Sequence, residues 1–255
     1  MREFVVDHLP VSVFPDQPSM AKAVTEEVHA YLVDLLGKQD EVRAILATGN
    51  SQIEFLKALA AKGGIDWSRV VLFHMDEYLG LPADHSASFR LYMKERVEKR
   101  VKPKAFHYLE GDALEPVREC ERYEALLSEK PIDLCCMGVG ENGHIAFNDP
   151  PVANFSDERL VKIVQLDYAC KKQQVDEGHF PDMDAVPKYA LTLTIPALVS
   201  ARKVICVAPE TRKSKAISAA LDNPVSTDCP ASWLRNVPTA RLFLDEDSAA
   251  LLKDR

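Results

Sequence analysis

The chain has 255 residues, of which 47% are hydrophobic and 27% are charged, and its formal net charge is -8. This composition is typical of a globular protein that buries its core in one domain, which we expect over residues 1–255. The negative charge argues against nucleic acid as a partner, and no apolar run approaches the about 18 residues of a membrane span. Because the sequence also lacks a basic start followed by an apolar stretch, we expect a cytosolic location.

The cysteines show no C-x-x-C pairing, so we expect them to be reduced and not to bind a metal. Those in strand-like apolar runs are expected to lie in the core. The cysteine positions are Cys120, Cys135, Cys136, Cys170, Cys206 and Cys229.

Short apolar segments alternate with amphipathic segments of helical period along the chain. The predicted strands are Phe4 to Val6, Val11 to Phe14, Val42 to Ala47, Val70 to Phe73, Phe106 to Leu109, Ile132 to Met137, Ala190 to Thr194, Val204 to Val207 and Ala240 to Leu244. The predicted helices are Met20 to Leu36, Gln52 to Ala61, Ser86 to Val97, Pro116 to Leu127 and Thr211 to Leu221, with a helical turn from Ile195 to Ser200. This alternation predicts an α/β fold with a doubly wound, mostly parallel sheet and helices on both faces.

Small polar residues follow the predicted strand Val42 to Ala47, in the order Thr48, Gly49, Asn50 and Ser51. A strand, a small-residue turn and a helix start present free backbone amides and the positive end of the helix dipole, which suits a phosphate. The alternative is an ordinary turn in which Ser51 is the N-cap.

Basic residues cluster at the first turn of the predicted helix Thr211 to Leu221, namely Arg212, Lys213 and Lys215. Cations oppose the dipole at this end of a helix. A nearby anionic ligand would explain them, and a solvated basic face is the alternative.

Two acids, Asp76 and Glu77, follow the predicted strand Val70 to Phe73. A carboxylate at this end of a strand can act as a general base if its pocket desolvates it, although N-caps and solvated loop acids are common there. His74 with the two acids suggests a metal site, but strand alternation places His74 and Asp76 on one side and Glu77 on the other. We therefore predict no metal.

The glycine-rich turn after the buried strand Ile132 to Met137 carries His144, Asn148 and Asp149. Loops at the carboxyl ends of strands form the ligand crevice of open α/β sheets, so this turn is a candidate centre of the chemistry. The alternative is a tight turn whose histidine satisfies a local carbonyl.

Residues 154–188 are polar and show weak apolar periodicity. A segment of this length between secure elements often serves as a lid. A surface excursion with a short helix is the alternative.

Four segments share their order and spacing with a known family: T-G-N-S, M-D-E-Y-L-G-L-P-A-D-H-S-A-S-F, G-V-G-E-N-G-H-I-A-F-N-D-P and P-K-Y-A-L-T-L-T-I-P-A-L-V-S-A-R-K-V. From about Val42 to Leu244 the chain resembles the glucosamine-6-phosphate deaminase (isomerase) family, which is related to 6-phosphogluconolactonases. Tyr78 and the I-A-F-N continuation favour the deaminase branch. The resemblance implies a modified Rossmann-like sheet, an amino-sugar phosphate as substrate, and neither cofactor nor metal.

The resemblance also implies catalytic residues. Asp76 matches the carboxylate that moves a proton from C2 to C1 of the open-chain sugar, and His144 matches the ring-opening histidine. Asp149 and Asn142 stand where the family commonly has glutamate and aspartate partners of this histidine. Asn142 cannot accept a proton and Asp149 is one methylene shorter, so the departures leave the identity of the sugar open.

For the phosphate, the resemblance implies the turn of Gly49, Asn50 and Ser51 together with Lys213. The family also uses a lid arginine from an N-S-R segment, which this chain lacks, and Lys172 is the candidate substitute. A lysine cannot bind phosphate bidentately as arginine does.

The preferred hypothesis is conversion of glucosamine 6-phosphate to fructose 6-phosphate and ammonia. The alternatives are the same chemistry on galactosamine 6-phosphate, hydrolysis of a lactone with His144 activating water, and a sugar-phosphate-binding regulator without turnover. Assembly into a homo-oligomer is left open.

Overall fold

The computed structural model describes residues 1–253 and contains two β-sheets. The strands are β1 Arg2–Val6, β2 Leu9–Phe14, β3 Val42–Leu46, β4 Val70–His74, β5 Asp76–Tyr78, β6 Ala105–His107, β7 Leu134–Met137, β8 Val161–Gln165, β9 Tyr189–Leu193, β10 Lys203–Val207 and β11 Ala240–Asp245. The helices are α1 Gln17–Leu36, α2 Ile53–Ala61, α3 Phe89–Met93, α4 Lys99–Val101, α5 Pro116–Ser128, α6 Tyr168–Asp176, α7 Ile195–Val199 and α8 Ser214–Asp222. A π-helical turn, Lys94–Glu98, joins α3 to α4.

The large sheet has eight strands in the order β1-β2-β11-β10-β7-β3-β4-β6. All its pairs are parallel except β1 with β2. Helices α1, α2 and α3 pack on one face, and α5, α7 and α8 pack on the other. The prediction of a doubly wound, mostly parallel sheet is therefore confirmed.

A second, antiparallel sheet of three strands has the order β5-β9-β8. The backbone joins it to the end of β4, because the amide of Leu193 donates to the carbonyl of Met75 at 2.8 Å. An aromatic cluster that includes Tyr78, Phe147 and Phe180 packs against it. This sheet was not expected, because β5 is only three residues long and gives no period-two signal.

Two helix starts differ from the predicted ones for local reasons. Helix α1 begins at Gln17 because the carboxylate of Asp16 accepts a hydrogen bond from the amide of Ser19 at 2.8 Å. Helix α3 begins only at Phe89, where the distant carboxylate of Glu77 accepts the first amides.

The segment 154–188 contains β8 and α6. A short helix was anticipated in this segment, while the strand was missed because it is held by pairing with the distant β9. All six cysteines are free and buried, which confirms the core position expected for Cys135, Cys136 and Cys206. Within residues 1–253, no helix combines the length and apolar character needed to cross a bilayer.

Candidate active site

One pocket lies at the carboxyl ends of β3, β4, β7 and β10, where the segments that follow these strands meet two further segments, around residues 86–92 and 173–179. Parallel strands present their following loops at the same edge of a sheet, so the topology brings these segments together. The predicted site residues that line it are Gly49, Asn50, Ser51, Asp76, His144 and Lys213.

Asp76 opens β5 and is 6% exposed, with its carboxylate at the pocket. Its Oδ1 atom is buried without a hydrogen-bond partner among the described residues. Burial, together with the negative charge of Glu77, raises the pKa of Asp76 well above its usual range. A carboxyl of this kind is suited to accepting and returning a proton.

Glu77 and His74 have structural positions and do not line the pocket. The Glu77 carboxylate accepts hydrogen bonds from the amides of Phe89 and Arg90 and from the Ser88 hydroxyl, which fixes the start of α3. His74 Nε2 accepts the Leu109 amide at 2.8 Å, and burial lowers the pKa of this histidine to about 3, so it is neutral.

His74 and Asp76 do not share a strand face, in contrast to the alternation expected from the sequence. The chain leaves the large sheet at Met75, and Asp76 pairs with Thr192 in the second sheet.

His144 is held by the turn that contains it. Asp149 Oδ1 lies 2.9 Å from His144 Nδ1, although not in the line of a hydrogen bond. Asn142 donates to the same Asp149 oxygen at 3.0 Å and accepts the His144 amide at 3.1 Å. Burial opposes ionisation of Asp149, but the neighbouring His144 and the hydrogen bonds that Asp149 accepts from Asn142 and from the Asp167 amide outweigh it and lower its pKa.

Asn142 therefore places a donor beside the Asp149 carboxylate, at the position where the resemblance implies an aspartate. An ionised aspartate at this position would instead place a second negative charge beside Asp149. Neither Asn142 nor Asp149 lines the pocket itself, and both act on it by contacting His144, which does.

The small-residue turn after β3 has the form of an anion cradle. Gly49 has φ of +100°, which favours glycine, and it precedes a 3-10 turn, Asn50–Gln52, that leads into α2. No side chain caps this turn. Ser51 is therefore not an N-cap, and its hydroxyl accepts a hydrogen bond from the Gln52 side chain at 3.0 Å.

Lys213 supplies the cation of the cradle. The residue is 3% exposed, and burial lowers the pKa of its ammonium. Among residues 1–253 the ammonium makes no ion pair, whereas the neighbouring Arg212 pairs with Glu141, Glu177 and Glu210. Glu177, Glu141 and Glu210 act on this ammonium only from beyond ion-pair distance. A buried cation without a direct ion pair indicates a site for an anionic ligand.

Lys172 lies outside the pocket. Its ammonium pairs with Asp176 at 2.5 Å on the outer side of α6, and both side chains are 54% exposed. The pocket residues that the sequence did not indicate include Glu177 and His179, because nothing in it showed that the segment after α6 lies beside the turn after β3. Arg212 also lines the pocket, and it belongs to the basic cluster for which a nearby anionic ligand was one explanation.

Three ligand-type atoms, from His144, Asp149 and Cys170, lie within 4.8 Å of one another and are the candidates for holding a metal within residues 1–253. Burial and the charge of Asp149 raise the pKa of the Cys170 thiol well above its usual range, which opposes a thiolate ligand. Asp149 already contacts His144 and Asn142. This arrangement favours a hydrogen-bonded cluster, and the absence of a metal stays a prediction.

Gly140 leaves room for the imidazole, and we predict that Gly140→Ala reduces activity about 100-fold without unfolding the protein. An added Cβ would lie 2.2 Å from His144 Cε1 and Nε2, so the ring would have to move. The measurement is kcat/KM beside a thermal melt. Gly63→Ala is the control, since nothing lies within 4 Å of a Cβ there. Full activity of Gly140→Ala would mean that the position of His144 is unimportant.

The fold and pocket define an open α/β protein with a small crevice that offers an acid, an imidazole and an anion cradle. The description "Glucosamine-6-phosphate isomerases/6-phosphogluconolactonase" belongs to a family model that matches residues 15–243, and the chain belongs to this family.

Curated relatives and solved structures agree with this membership. The glucosamine-6-phosphate deaminase of Exiguobacterium sibiricum is 34% identical over 209 residues, which cover 82% of this chain and 81% of that protein. That of Listeria innocua is 35% identical over 207 residues, covering 81% and 86%.

Among solved structures, a monomeric glucosamine-6-phosphate deaminase superposes with a TM-score of 0.86 at 25% identity, over 94% of this chain and 99% of that one. The 6-phosphogluconolactonase of Thermotoga maritima gives a TM-score of 0.74 at 23% identity, over 92% and 98%. This second likeness concerns the fold alone.

Proposed function

We propose that the protein isomerises and deaminates an amino-sugar 6-phosphate, with glucosamine 6-phosphate as the first candidate, giving fructose 6-phosphate and ammonia. One observation carries the proposal: Asp76, His144 and the cradle of Ser51 and Lys213 line the same pocket. The relatives named glucosamine-6-phosphate deaminase support it.

The cradle binds the phosphate and fixes one end of the sugar. Backbone amides at the turn after β3 and the ammonium of Lys213 are sufficient donors for a dianion. The other end of the sugar then lies toward Asp76 and His144, which line the same pocket.

His144 opens the sugar ring by moving a proton to the ring oxygen and away from the C1 hydroxyl. For this step Asp149 lies against the imidazole, and Asn142 fixes the backbone of His144 by accepting its amide. The open-chain aldose then exposes the acidic proton at C2.

Asp76 takes the C2 proton as a base and returns it at C1 as an acid, while O1 gains a proton and the nitrogen loses one, which yields the imine of the ketose at C2. Water adds at C2 and ammonia leaves, so one amino-sugar phosphate and one water give one ketose phosphate and one ammonia. Both Asp76 steps need a carboxyl whose pKa lies near the working pH, and burial moves Asp76 in that direction.

An ammonia-release assay without added metal tests the proposal, with glucosamine 6-phosphate, galactosamine 6-phosphate and 6-phosphogluconolactone compared side by side. We expect ammonia and fructose 6-phosphate from the first substrate. Acid release from the lactone with no ammonia from either amino sugar would favour the hydrolase. Binding of the sugar phosphates without any product would favour the regulator.

The cytosolic location, the role of residues 154–188 as a lid and the assembly state stay predictions. The similar deaminase of known structure is described as monomeric. Equilibrium sedimentation of this chain would determine whether it also acts as a single copy.

A further inference from the structure

Glu177 follows α6 directly, and its carboxylate is buried beside the cradle, with the side chain 6% exposed. Gln173 donates to it at 2.8 Å, Asn50 donates at 3.3 Å, and His179 Nε2 lies at 3.2 Å. The guanidinium of Arg212 also donates to it. The position is therefore built to hold a negative charge.

Glu177 is ionised at neutral pH. Burial alone would raise its pKa, but the hydrogen bond from His179 and the positive charge of Arg212 prevail and lower the pKa to about 2. A carboxylate at the C-terminal end of a helix also faces the negative end of the helix dipole. The surrounding donors, and not the helix, hold the charge in place.

Two of the groups that donate to Glu177, Asn50 and Arg212, lie at the proposed phosphate cradle. Asn50 lies in the turn after β3, and Arg212 precedes Lys213. Arg212 also lies 3.6 Å from a Glu141 oxygen and 2.6 Å from a Glu210 oxygen. Three carboxylates thus surround one guanidinium, and a phosphate that enters meets an anion already in place.

We propose that Glu177 is the resident counter-anion of the phosphate cradle, and that the phosphate of the substrate must displace it from Asn50 and Arg212 to bind. The inference rests on the proposed function, because it assumes that the cradle takes a phosphate.

The two anions compete for the same donors, and like charges in contact repel strongly in a poorly solvated pocket. A ligand without phosphate leaves Glu177 where it is. A phosphate dianion offers more charge and more acceptor oxygens than the carboxylate, and so it can replace it. Glu177 therefore sets how tightly a phosphorylated sugar is bound, and it touches none of the reacting atoms.

The test is Glu177→Gln, which keeps the size of the side chain and removes its charge. We expect inorganic phosphate, titrated by calorimetry, to bind at least about tenfold more tightly, and KM for glucosamine 6-phosphate to fall similarly with kcat little changed. Weaker or unchanged phosphate binding by a folded variant would overturn the proposal. Glu177→Ala, which should act in the same direction, gives a second measurement.

Asp176→Asn is the matched control. It removes the same charge one residue earlier, from a carboxylate that pairs with Lys172 and is 54% exposed. Its phosphate affinity is expected to stay within about twofold of the native value, because exposed charges are well screened. An equal gain in both variants would assign the effect to general charge, which contradicts displacement.

The phosphate titration needs no turnover, so it separates this inference from the proposed activity. If Glu177→Gln binds phosphate more tightly but the protein releases no ammonia, the role of Glu177 as counter-anion stands and the proposed deaminase activity is wrong. If the protein releases ammonia but the variant binds phosphate with unchanged affinity, the deaminase activity stands and the role of Glu177 as counter-anion is wrong.

Discussion

Asp76→Asn is expected to lower kcat for ammonia release by about 10² to 10⁴-fold, the range lost with a general acid–base group, while KM changes little. An amide cannot take the C2 proton, yet it fills the same space in the pocket. The measurement is steady-state kinetics with glucosamine 6-phosphate. A variant that retains more than about a tenth of the native kcat would remove Asp76 from the chemistry.

Asp76→Asn, which lowers kcat, is not expected to lower the stability of the folded protein. The folded state raises the pKa of Asp76 above its ordinary value of 3.8, so it holds this proton more tightly than the unfolded chain. Stability is therefore lost as pH rises from the ordinary pKa through the raised one. Asp76→Asn removes this loss, and we expect its thermal midpoint at mildly alkaline pH to equal or exceed that of the native protein.

The neighbouring acid provides the contrast. Glu77→Gln is expected to lower the thermal midpoint, because Glu77 accepts the amides that begin α3 and pairs with Arg90. It also removes a negative charge that raises the pKa of Asp76. The acidic limb of the pH profile of kcat for Glu77→Gln should therefore move to lower pH.

Lys213→Gln is expected to raise KM for the amino-sugar phosphate by about 10 to 150-fold with a smaller effect on kcat. Hydrogen bonds to charged groups are worth about 1.5–3 kcal/mol, and this buried ammonium makes no ion pair within residues 1–253. Steady-state kinetics and a phosphate titration measure the effect.

Lys215→Gln is the matched control for Lys213→Gln. Lys215 lies two residues further on, in α8, and it is exposed. Its loss is expected to change KM by less than about twofold, because a solvated cation contributes little. Equal effects of the two substitutions would show that the overall positive charge matters and the buried position does not.

The sequence was sufficient for the large sheet because its strands are short apolar runs bounded by turn residues and separated by amphipathic helices. It also placed Asp76 and His144 at the carboxyl ends of strands, where the pocket lies. Residues close together in the chain determine both features, so a single sequence without relatives was enough to predict them.

Features that depend on contacts between distant parts of the chain could not be predicted from the sequence. The second sheet depends on β5 pairing with β9, which is more than a hundred residues away. Glu177 reaches Asn50 across 127 residues, and its segment has no strong periodic pattern. Lys172 was chosen for its charge alone, but its side chain lies on the outer side of α6 beside Asp176.

A crystal structure of Asp76→Asn with glucosamine 6-phosphate tests the central claim most directly, since the variant should bind the sugar without converting it. We expect the phosphate on Ser51 and Lys213, C2 of the sugar facing residue 76, and the ring oxygen near His144. A phosphate bound elsewhere, or a sugar that does not reach residue 76, would contradict the proposed site.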